Sequence, residues 1–153
     1  MFYWIIVLSF TFVGTAIAWK TLTHLWNKYD PITLRALPML RAGHSMPGDP
    51  NYLDLKFSLA RHAFMFLVTA TIMYWVQSPL IRIIFLLGGY AFYTATLISR
   101  YQYRKDIINN LAASEESKAL AEMLTKPFKD SKVVVVYSVC AELVLFVLHI
   151  LTA

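Results

Sequence analysis

Read as apolar and polar positions, the chain falls into four long apolar runs, 2–19, 62–77, 79–99 and 133–152, separated by two polar segments, 20–61 and 100–132. Each run is near the about 17–25 residues that a helix needs to cross hydrocarbon, the second being the shortest. Because only helices or closed barrels satisfy their own backbone in lipid, the pattern predicts an all-α membrane protein. It would be one membrane domain over residues 1–153: a bundle of four transmembrane helices with amphipathic cytoplasmic loops.

Local punctuation refines these elements. Gln77-Ser78-Pro79 predicts a tight outer turn, with proline in the first turn of the next helix, so the second and third runs form an antiparallel hairpin. In the first loop, residues 21–29 continue the first helix until Asp30-Pro31 stops it. Residues 32–41, apolar with spaced arginines, predict a segment lying along the membrane surface. Residues 43–50, rich in Gly, Pro and Asp, predict turns, and 51–61 lead helically into the second run. In the second loop, 100–113 extend the third helix. Ser114 is a suitable N-cap for a short helix over 115–125, on which Leu120, Met123 and Leu124 form an apolar stripe. Tyr3, Trp4, Trp19, Trp26, Tyr74, Trp75, Tyr101 and Tyr103 sit at run ends, as interfacial aromatic belts do.

Composition agrees: 58% of the 153 residues are hydrophobic. The net charge of +5 invites a nucleic-acid reading, and its distribution excludes one. Of 14 Lys and Arg residues, only Arg82 lies outside the segments 20–61 and 100–132. By the positive-inside rule both loops are cytoplasmic and both termini outside, the topology expected of a bacterial inner-membrane protein. The basic residues serve orientation, with attraction to anionic lipid head groups as a secondary effect. Ala16-Ile17-Ala18 has the small-x-small look of a signal cleavage site, but no positive charge precedes the apolar run. A retained first helix is therefore expected. One cysteine, Cys140, rules out an intrachain disulfide.

The candidate chemistry is sparse. On a regular helix, Ser138, Glu142 and His149 share one face of the fourth run with Val134, Ala141, Leu145 and Thr152. An ionisable residue within a span is costly and faces a protein interior or a polar cavity. Counting about 1.5 Å per residue, Glu142 lies about 15 Å above Lys132 and level with Tyr90. His149 is level with Arg82 nearer the outer surface. Arg82, Tyr90 and Tyr93 are thus the candidate partners of this polar stripe, with Thr11, Thr15 and Thr69 as further hydroxyls. On the third run, Arg82, Gly89, Tyr93, Thr96 and Arg100 are expected on one face, and the small residues Gly88, Ala91, Ala95 and Ser99 on the opposite one as a helix-packing ridge.

The histidines do not form a haem pair, since His24 and His62 lie near the membrane edge. No metal site and no cofactor is expected, and neither a HExxH pair, a phosphate loop nor a nucleophile elbow occurs. The first expectation is a small, non-catalytic subunit or interaction protein of an inner-membrane assembly of secretion, conjugation or respiratory type. Its partners would be membrane lipids and other membrane subunits or itself. Two alternatives stand beside it: a proton- or ion-conducting oligomer using Glu142, and a membrane enzyme acting on a lipid-soluble substrate near His24, His62 and Arg61.

Overall fold

The computed structural model describes residues 1–27, 52–115, 118–119, 121–122, 125 and 131–152. The expected surface segment 32–41, the turns of 43–50 and the Leu120, Met123 and Leu124 stripe lie outside these residues. Among the described residues all regular structure is helical. The first span comprises α1 (Phe2–Ser9), a π-helical stretch Phe10–Gly14 and α2 (Thr15–Trp26); the second is α3 (Tyr52–Trp75). The third comprises α4 (Pro79–Ile84), a second π-helical stretch Phe85–Ala91 and α5 (Phe92–Ala112); the fourth is α6 (Lys132–Thr152). Four continuous helices, Phe2–Leu25, Lys56–Trp75, Pro79–Ala112 and Lys132–Thr152, are long and apolar enough to cross a membrane.

Several helices outrun the apolar runs. The first reaches Trp26, and α3 begins at Tyr52, ten residues before the run at His62. Good helix formers continue a helix past the point where lipid no longer requires one. Asn27 closes α2 with its amide on the Leu25 and Thr23 carbonyls. Ser78, extended at φ −73° and ψ 117°, separates α3 from α4, whose first residue is Pro79.

The second and fourth spans make the centre: each packs against the other and against the first and third. Two apolar clusters make the interior. One, toward the Arg82 end, joins Val7, Phe66, Met73, Leu86, Tyr90, Leu145 and Leu148; the other, toward the basic end, joins Ala18, Leu22, Leu59, Ala63, Val134 and Tyr137. Phe10 packs against both clusters, with its ring 4.9 Å from Phe66 and stacked 5.3 Å from Tyr137. Outward, the bundle is as apolar as inward. Phe12 (71% exposed), Phe92 (70%) and Leu143 (59%) are typical of that surface, a contiguous coat that water would not tolerate and hydrocarbon does.

The π-helical stretches decide which side chains face in. A π turn bonds i to i+5 and so holds one residue more than an α turn. Across the third span the buried positions step by four, Arg82, Leu86, Tyr90 and Thr94. An uninterrupted α-helix would rotate that series off one face. The first span does the same with Tyr3, Val7 and Thr11 before Ala18 and Leu22. The face expected from a regular helix is corrected accordingly: Gly89 and Arg100 are exposed, and Thr96 bonds its own helix at Phe92 O.

Candidate functional site

The polar interior begins with hydroxyls that bind the spans together. Tyr3 donates to Ala70 O at 2.6 Å, tying the first span to the second. Thr15 and Tyr137 share a 3.0 Å bond from first to fourth, and Thr94 and Ser138 a buried 2.8 Å bond from third to fourth. Ser138 of the expected stripe is therefore occupied by Thr94, a residue the sequence pattern did not single out. Its signal was present but ambiguous, because a threonine in a span bonds its own preceding turn as readily, as Thr11 does with Val7 O.

Arg82 holds the far end together. It is 8% exposed, and its Nε donates to Val76 O at 2.5 Å. Its Nη1 donates to Thr152 O at 2.8 Å and Thr152 Oγ1 at 3.0 Å. A guanidinium fork suits two helix C-terminal ends, where carbonyls lack intrahelical donors and the dipole is negative. The expected closeness to His149 thus resolves into a bond one turn farther along the same helix.

Between these ends lies a row of polar groups without hydrogen-bond partners among the described residues. They are His62 Nε2, Tyr93 OH, Tyr90 OH, Glu142 Oε2 and His149 Nδ1, all buried atoms. His62 is 1% exposed, and its Nδ1 faces Ser58 O, so Nδ1 carries the proton and Nε2 presents a lone pair. Its ring lies against Tyr93 at 4.5 Å, and the Arg61 guanidinium sits 5.8 Å from that same ring. Tyr93 and Tyr90 meet edge on, 6.5 Å apart. The Tyr90 hydroxyl lies beside Ser138 and within electrostatic reach of Glu142. His149 follows two helical turns beyond Glu142, about 10 Å along α6.

Glu142 itself is half-buried. One carboxyl oxygen is enclosed and makes none of the bonds expected from Tyr90 or Tyr93. Each buried unsatisfied group costs about 1–3 kcal/mol, and a few per 100 residues is the usual number. The five atoms here match that usual number, and four of their residues, His62, Tyr93, Tyr90 and Glu142, neighbour one another in turn through ring contacts and electrostatics.

The small-residue ridge is placed differently from its expectation. Gly88, Ala95 and Ser99 are exposed and Ala91 is half-buried; a Cβ added at Gly88 or Gly89 would meet nothing within 4 Å. Packing within the chain uses the Leu86, Tyr90 and Thr94 face instead, for the π-helical reason above. The three residues considered for a membrane enzyme are also not gathered into one pocket. His62 is buried against Tyr93, whereas His24 and Arg61 are exposed.

Among the described residues the fold is a helical bundle with four helices long and apolar enough to cross a membrane, and with buried polar atoms on the second, third and fourth of them. Comparison with protein-family models, with curated proteins and with solved structures returned no match.

Proposed function

We propose that the chain is an integral inner-membrane protein, with both basic loops cytoplasmic and both termini outside. In this reading it is a small non-catalytic subunit or interaction protein of an assembly of secretion, conjugation or respiratory type in a bacterial membrane. One observation carries the proposal: Glu142 stands at mid-span on α6 and is only half-buried, so part of its side chain faces outward from the bundle. A charged carboxylate there costs about 2.5–3.5 kcal/mol by insertion scales. A polar or basic group on a helix of another chain offsets that cost, and an interhelical bond in lipid contributes about 0.6–2 kcal/mol.

The test is purification of the full chain in mild detergent with identification of co-eluting proteins. A different chain in fixed stoichiometry, lost on Glu142→Leu, is the expected result. A lone monomer would overturn the reading.

A second reading has its own observation. His62, Tyr93, Tyr90 and Glu142 are neighbouring titratable groups with unused hydrogen-bonding atoms, and His149 lies two turns farther along α6; intramembrane groups of this kind are the material of proton relays. A homo-oligomer whose proton flux in vesicles is abolished by Glu142→Gln, with assembly intact, would favour conduction over the subunit reading.

A further inference from the structure

Two grooves run along the outside of the bundle, one on each side of the first span. The groove between the first and second spans, about 480 Å³, is lined among the described residues by apolar side chains and the hydroxyls of Thr11 and Thr15, with no charged residue. The groove between the first and fourth spans differs. It measures about 410 Å³, is almost wholly apolar, and has Lys132 at one end.

That groove has a direction. The first and fourth spans run antiparallel, so Thr21 and Lys132 mark its basic end and Phe10 and Cys140 its deep end. From Lys132 to Cys140 is eight residues, about 12 Å of helix, close to the depth of one hydrocarbon leaflet of a core about 30 Å thick. Gly14 and Ala18, small residues on the first span, open the space. A Cβ at Gly14 would already stand 3.5 Å from the Tyr137 ring, so the floor there is a ring face rather than a void. Lys132 is exposed, and its long apolar stem lets the ammonium reach the head-group layer while the groove stays dry. Lys20 is one residue from Thr21 at the same end.

We propose that this groove is a site for one anionic glycerophospholipid of the leaflet at the basic end, with an acyl chain between the first and fourth spans and its phosphate at Lys132. The apolar lining fits the chain, the Lys132 cation at the mouth fits the head group, and the length fits one leaflet. The groove on the other side of the first span has no charged residue in its lining, and the Lys56 ammonium beside it is held 4.3 Å over the Trp19 ring. Neither the subunit reading nor the relay reading is needed for the site.

The full chain is reconstituted in vesicles of mixed phosphatidylglycerol and phosphatidylcholine, extracted gently and weighed by native mass spectrometry. The native chain should retain phosphatidylglycerol in preference to phosphatidylcholine. Lys132→Gln should lower the phosphatidylglycerol-bound fraction several-fold, while Lys118→Gln, which removes an exposed charge away from the groove, should leave it unchanged. Val136→Trp should displace the retained lipid by filling the groove from an exposed position, with helicity by circular dichroism as the check on folding. Undiminished retention in Lys132→Gln, or an equal fall in Lys118→Gln, would overturn the site. So would undiminished retention in a folded Val136→Trp chain.

Discussion

Arg82 is the residue on which the closed end of the bundle depends. A guanidinium nearly out of contact with solvent, bonded to Val76 O and to both oxygens of Thr152, joins the turn after α3 to the end of α6. Hydrogen bonds to a charged group are worth about 1.5–3 kcal/mol each, and removing the donor takes the side-chain partner from two carbonyls at helix ends. Arg82→Gln should therefore destabilise the bundle by about 2–4 kcal/mol, read as a lower midpoint of thermal unfolding in micelles. Arg82→Lys should recover only part of this, since a single ammonium cannot reproduce the fork. An unchanged midpoint for Arg82→Gln would mean that the carbonyls are served equally well by lipid-interface water. Charge count alone singled out Arg82, as the one basic residue outside the two loops. Its partners were not legible, because backbone carbonyls carry no sequence signature.

At the scale of the element, the fourth span was legible and the third was not, and the difference is physical. α6 is a regular α-helix, so five positions of the face expected from a 3.6-residue period, Val134, Ser138, Ala141, Leu145 and His149, are buried, while Tyr137 and Leu148 join them, Glu142 is half-buried and Thr152 is exposed. The third span carries the π-helical stretch Phe85–Ala91, which shifts the phase of everything after it. That shift turns Gly88, Ala95 and Ser99 outward and brings Leu97 against the inner cluster at the basic end. Nothing in the local composition announces the extra residue, although Gly88-Gly89 is where it falls. Deleting Gly89 should consequently be tolerated, because an α-helical repair leaves the buried positions on either side in register. Deleting Ala95 from the regular helix should rotate all later residues by about 100° and lower folded yield sharply. Equal yields of the two deletions by size-exclusion chromatography would contradict the phase argument. Likewise Leu97→Ala should cost about 2 kcal/mol or more of stability, by lost packing. Ala95→Leu, on the outer surface, should leave the isolated chain's unfolding midpoint where it was.

At the scale of the whole molecule, four helices long and apolar enough to cross a membrane, an apolar exterior and an interior of apolar clusters tied by a few hydroxyls are consistent with a protein solvated by lipid. Topology is the direct consequence. With Cys140 replaced, single cysteines at Ser45 and Ser114 should react with an impermeant maleimide only after the membrane is opened. One at Ser78, in the turn between the second and third spans, should react in intact cells. Labelling of Ser45 in intact cells would reverse the orientation that the basic loops predict. The central claim, that the half-exposed carboxyl of Glu142 meets another chain, calls for a photo-crosslinking amino acid at Val139. That position is 37% exposed and one turn from Glu142. Irradiation of whole cells should yield one discrete crosslinked product with a different protein, and Glu142→Leu should abolish it while the helical bundle remains folded. Crosslinks to lipid alone, with the native glutamate in place, would contradict the account.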